Sequence, residues 1–141
     1  MKSCLGTTVS GVLSVALLGG CVTRESALHK LGCEASVASY VDQVLMNTWG
    51  VGSFACVRLR TKDEREYRTV EAGCPVAKVP RTVTEYPARG NPMVPPAWWD
   101  LREGERVEFA SMRGPGAHWE GFVYVRRVAS EATWFMCGAG L

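Results

Sequence analysis

Ser53-Phe54-Ala55-Cys56-Val57-Arg58-Leu59-Arg60 is the stretch from which the fold can be read. Ala55, Val57 and Leu59 fall on one side and Arg58 and Arg60 on the other, the period of two expected of a half-buried strand. Five stretches further along have strand character. Tyr67–Val70 follows the polar turn Thr61-Lys62-Asp63-Glu64-Arg65, so that Phe54–Arg60 and Glu66–Val70 read as a hairpin. Arg81–Tyr86 is rich in Thr, Val and Tyr, and in Arg106–Met112 Val107 and Phe109 alternate with Arg106 and Glu108. Trp119–Val128 is apolar on both faces, which predicts a central strand, and Ala132–Cys137 closes the set. On the N-terminal side the period changes. Val37, Tyr40, Val41, Val44 and Leu45 recur at i, i+3, i+4, i+7 and i+8, opposite Ser36, Ser39, Asp42, Gln43 and Asn47. That spacing predicts an amphipathic helix ended by Gly50 and Gly52. The expected class is α+β: one N-terminal amphipathic helix packed on a small antiparallel β-sheet or partly closed barrel of about six strands.

Composition bounds the function. Of 141 residues 47% are apolar and 21% charged, values of a globular chain. The formal charge of +2 becomes +1 once Lys2 is lost with the N-terminal segment. So small a basic excess argues against general nucleic-acid binding, which depends on displacing counterions from phosphates.

That N-terminal segment reads as a signal peptide. Lys2 is its only charge, Val9–Leu18 is its apolar core, and Leu18-Gly19-Gly20-Cys21 closes it. These four residues resemble the lipobox of bacterial lipoprotein precursors. The resemblance covers about 21 residues and implies cleavage between Gly20 and Cys21, a diacylglycerol on the Cys21 thiol and often a further acyl chain such as palmitate on its amine. Two or more chains anchor stably, since each buried CH₂ contributes about 0.8 kcal/mol. Val22 stands where an Asp would signal inner-membrane retention in enteric bacteria, so the family rule favours the outer membrane, facing the periplasm. An uncleaved membrane-spanning helix, an ordinary secretory signal and a wrong start codon, since one Lys makes a thin basic region, are the competing readings. The organisation expected is a signal peptide over residues 1–20, a lipidated tether over 21–32 with a helical stretch around Ser26–Leu31, and one domain over 33–141.

Six cysteines follow the same logic. Cys4 leaves with the signal and Cys21 is lipidated, leaving Cys33, Cys56, Cys74 and Cys137 for two disulfides in an exported chain. In the expected hairpin Cys74 lies beyond the rung of Cys56, so that pair is disfavoured. Two pairings stay open: Cys33–Cys56 with Cys74–Cys137, or Cys33–Cys74 with Cys56–Cys137. No CxxC spacing supports a zinc site, and no metal or cofactor is expected.

Motifs of catalysis are missing: there is no GxSxG, HExxH, P-loop or dinucleotide-binding glycine pattern. Glu108 and Glu120 are a carboxylate pair only if the fold brings them together. Arg58 to Arg68 is a mixed-sign run that reads as a solvated hairpin. The least ordinary stretch is Gly90-Asn-Pro-Met-Val-Pro-Pro-Ala-Trp-Trp-Asp100, an extended, proline-rich loop carrying Met93, Trp98 and Trp99. Its aromatics either close the core or form a binding surface, with His118 after the Gly114-Pro115-Gly116 turn as a second candidate. Leu101–Phe109, a turn glycine feeding an alternating strand, resembles a strand opening in OB or SH3-like barrels. The expectation is a non-enzymatic envelope module that binds a protein or glycan. The alternatives are an inhibitor of a secreted hydrolase such as lysozyme, by class analogy alone, or a periplasmic metal or small-ligand binder using Met93, Met112, Met136 or His118.

Overall fold

The computed structural model describes residues 24–49, 52–89, 95–113 and 119–140. Gly20, Cys21, Met93 and His118 lie outside them. Six strands form one antiparallel sheet: β1 Val41–Trp49, β2 Gly52–Thr61, β3 Thr82–Glu85, β4 Arg106–Arg113, β5 Trp119–Val128 and β6 Glu131–Gly140. Their order is β1-β2-β6-β5-β4-β3, so the sheet is open, with β1 and β3 as its edges. The helices are short: α1 Arg24–Lys30, a 3-10 turn at Ala35–Tyr40, α2 Glu64–Gly73 and α3 Pro75–Lys78. The α+β class with about six antiparallel strands is therefore observed, as an open sheet and not a barrel.

Two elements exchange roles relative to the sequence reading. The helix expected over Val37–Leu45 is a 3-10 turn followed by strand β1, which pairs with β2 from Val41↔Leu59 to Trp49↔Gly52. The ladder slips between Val41 and Gln43, a bulge that adds one residue to β1. The bulge places Val44 and Met46 on the same face as Val41, against the first core, while Leu45 packs against the second. A strand with such a bulge reproduces the i, i+3 spacing of a helix. Conversely, Glu66–Val70 is part of helix α2. Asp63 accepts the Glu66 amide at 2.9 Å, and the Glu66 carboxylate accepts the Lys62 amide at 2.7 Å, a reciprocal cap on the first turn. Tyr67 and Val70, three apart, are the buried side of that helix. The strand count holds because one strand was gained where another was lost.

The period of two in β2 is realised. Ala55, Val57 and Leu59 face the helices, whereas Phe54, Cys56 and Arg58 face the other side. Strand β5 is interior and buries both faces, Val123 and Val125 toward the helices and Tyr124 away from them.

Helix α1 belongs to the fold. Ala27, Leu28 and Leu31 are buried in the helix-side core, and burying each Leu contributes about 1.5–3 kcal/mol. Gly32, at φ +72°, ends the helix, with Gly32 N–H donating to the His29 carbonyl and Cys33 N–H to that of Leu28. That pattern needs a left-handed residue, which glycine adopts without strain. One residue on, Cys33 is disulfide-bonded to Cys74, and Glu34 N–H donates to the Gly73 carbonyl at 2.7 Å. A Cβ on Gly73 would lie 2.7 Å from Val37 Cγ1, so the close approach here requires glycine.

Candidate functional site

The face of the sheet away from the helices is covered by an irregular segment, described over residues 86–89 and 95–105. Pro95 and Pro96 keep this segment out of regular structure, and Trp99 N–H donates to the Pro96 carbonyl at 3.0 Å. The resulting turn drives Trp99 into the sheet, where its ring lies 5.0 Å from Phe135, 6.2 Å from Phe122 and 6.3 Å from Tyr124. Phe109 and Tyr86 each stack 4.9 Å from Tyr124, whose hydroxyl accepts the Ala88 amide. Burial pushes the Tyr86 phenol above its ordinary value, outweighing the lowering effect of neighbouring Trp99.

Two arginines on this face staple the segment down. Arg58, from β2, binds both carboxylate oxygens of Asp42 at 3.0 and 3.1 Å and donates to the Trp98 carbonyl at 3.0 Å. Arg126, from β5, binds Glu105 and reaches the Asp100 carbonyl at 3.1 Å, with its guanidinium 5.5 Å from the Phe135 ring centre. The hydrogen bond from Arg126 is the main reason the Glu105 carboxyl is held below its ordinary range. Arg58, expected on a solvated hairpin, has a side chain only 11% exposed.

The sequence candidates separate. Trp99 is 6% exposed and belongs to the core, so it is not a surface residue. Trp98, 5.8 Å away, stays half-buried. Leu45, Phe54 and Phe122 are also half-buried on this face, around the Cys56–Cys137 disulfide. That bridge joins directly opposed residues of β2 and β6, and Leu45 and Phe122 occupy the same cross-strand row. The accessible apolar surface beside the proline segment is therefore Trp98 with these three neighbours. Met112 and Met136 point to the helix side, Met136 fully buried, so the sheet separates them from Trp98. Glu108 binds Arg81 and Arg127 on the helix side, whereas Glu120 is exposed and paired with Arg113. In the β5 alternation Glu120 lies on the same side as Phe122 and Tyr124, so the two carboxylates do not converge.

A second polar cluster was not anticipated. Tyr67 of α2 accepts hydrogen bonds from both Arg81 and Arg127, and Arg127 lies 4.0 Å from the ring centre. Arg81 also binds Glu71 at 2.8 Å and stands 5.2 Å from the ring centre of Trp134. Burial raises the Tyr67 phenol above 10.0 although both arginines pull the other way, so it is neutral near pH 7. Two guanidinium groups matched by Glu71 and Glu108 tie α2 to β4 and β5. The sequence signal is slight: Tyr67 and Glu71 lie at i, i+4, but the Thr and Val between them favour a strand.

Among the described residues no three His, Cys, Asp or Glu side chains gather to hold a metal ion. No described helix is long and apolar enough to cross a membrane.

The chain matches no protein-family model, no curated protein and no solved structure. What it could do must be argued from its own residues.

Proposed function

We propose that the protein is a lipid-anchored, non-enzymatic binding module of the bacterial envelope, attached through Cys21 and presenting the Trp98 surface to a protein or glycan partner. The observation that carries this reading is that Cys33–Cys74 and Cys56–Cys137 account for every cysteine among the described residues. Disulfides of this kind persist in oxidising compartments, which agrees with a signal ending in Leu18-Gly19-Gly20-Cys21. The half-buried group of Trp98, Leu45, Phe54 and Phe122 supplies apolar and aromatic contact area at low rotamer cost.

Two measurements test it. Palmitate labelling of the full chain should be strong and should vanish in Cys21→Ala; an unlabelled wild type removes the anchor. Mature protein should capture a partner from envelope extract, and Trp98→Ser should lose that partner while still unfolding cooperatively, within about 1 kcal/mol of wild type. Equal capture by both would discard the Trp98 surface. A lysozyme-inhibition assay with the same two proteins examines the inhibitor alternative.

A further inference from the structure

We infer, on the strength of the lipidation proposed above, that the folded domain is held directly against the lipid headgroups at its α1 end and does not hang from a flexible leash. Only Val22 and Thr23 separate Cys21 from Arg24, the first residue of α1. Whatever path they take, the Cα atoms of Cys21 and Arg24 can be no more than about 11 Å apart. The polar layer on each side of a bilayer is itself about 5–8 Å deep. A domain of this size has a radius of gyration of about 13 Å. The link is thus shorter than the body it holds, and the domain cannot turn freely without meeting the surface.

The link can lengthen only if α1 leaves the fold, and several contacts oppose that. Ala27, Leu28 and Leu31 are buried, and the Gly32 cap and the Cys33–Cys74 bridge close the end of the helix. Glu25, Ser26 and His29 form its exposed side. Arg24 and Lys30 against Glu25 leave a net charge of only +1 there, worth about 1 kcal/mol at an anionic surface, so the contact rests on the short link and does not require anionic lipid. The occupant of this surface is the bilayer. The Trp98 surface lies on the opposite side of the sheet, so membrane contact at α1 leaves it open to a partner.

The experiment uses full-length, lipidated protein in vesicles of phosphatidylethanolamine and phosphatidylcholine, the latter carrying a nitroxide on its headgroup. A fluorophore is placed at Glu25→Cys or, in a second sample, at Val83→Cys. Val83 is 57% exposed on edge strand β3. It lies four strand spacings, or about 19 Å, from β2, on which α1 rests. Quenching should be at least threefold stronger at position 25 than at 83. It should fall by at least half when ten Gly/Ser residues are inserted between Thr23 and Arg24, and it should not require phosphatidylglycerol in the vesicles. Equal quenching at the two positions, or an insertion without effect, overturns the membrane-apposed arrangement while the lipid anchor stands. If the unlabelled parent stays in the aqueous phase of a detergent partition and takes up no palmitate, the anchor itself is lost, and this arrangement with it.

Discussion

On one side of the sheet Leu28, Val70 and Val76 are delivered by helices; on the other Trp99 and Leu101 are delivered by a segment that is neither helix nor strand. The helix side satisfies its own backbone locally and needs tertiary contacts only to choose its position. Among the described residues the irregular side has few backbone bonds of its own and relies on long side chains from the sheet. Arg58 and Arg126 reach up to hold the Trp98 and Asp100 carbonyls, and Tyr124 holds the Ala88 amide. The same contrast separates the two disulfides. Cys33–Cys74 clips helical segments to each other, whereas Cys56–Cys137 joins strands that are already paired. Regular cover therefore resists repacking more strongly than irregular cover, and that difference can be measured.

The largest effect should come from the aromatic centres. Trp134, 0% exposed, stacks on Tyr67, and its indole N–H donates to Thr61 Oγ1 at 3.3 Å. Trp134→Ala should cost about 3–5 kcal/mol in urea unfolding. Trp99→Ala should cost about 1 kcal/mol less, because the segment above it can settle into the space and residual cavity volume sets the penalty. Equal losses would show that the irregular cover is as rigid as the helices. Next, the double substitution Cys33→Ala and Cys74→Ala should cost about 2–4 kcal/mol. Hydrogen exchange should then accelerate in α1 before it does so in β2 or β6. Uniform acceleration would mean that the bridge does not serve the helix side in particular.

A pH effect should follow from the irregular side. Glu105 titrates below its ordinary value of 4.5 in the folded protein, chiefly through its hydrogen bond to Arg126. A lowered folded pKa adds stability in full above the unfolded value, and that contribution is lost as the pH falls through the folded one. The urea midpoint of the wild type should thus decline from about pH 4.5 downward more steeply than that of Glu105→Gln. Parallel declines would remove this bridge as a fastener of the segment. The smallest effect belongs to Trp98→Ser, at about 1 kcal/mol or less, because Arg58 holds the Trp98 backbone carbonyl and serine retains it.

Much of the sheet was legible. Strands β2 and β4 carry their alternation, and β5 its two apolar faces, in contiguous residues, so each could be placed without its neighbours. The misread pair shows where that logic fails. Val37, Val41 and Val44 present helical spacing, but the β-bulge at Asp42 makes the same spacing in a strand, and only the ladder to β2 distinguishes the two. For α2 the signal is in the sequence: Asp63 followed three residues later by Glu66 is a helix start, and it outweighs the Thr69 and Val70 that suggest a strand. The case against Cys56–Cys74 rested on a hairpin that does not exist, although the structure pairs both cysteines elsewhere. Of the proposed surface, Trp98 and Trp99 had identical sequence credentials.

The sequence by itself determined the strand-rich character after Ser53 and the even set of cysteines for two bridges, and it supplied Leu18-Gly19-Gly20-Cys21, on which the proposed anchor rests. Each is a local pattern, set by side-chain period or by covalent chemistry. Only the tertiary structure decided that Val41–Trp49 is an edge strand, that Cys33 meets Cys74, and that Trp99 is buried while Trp98 remains at the surface. Those outcomes depend on which strand pairs with which and where the covering segment lands, and residues far apart in the chain fix both.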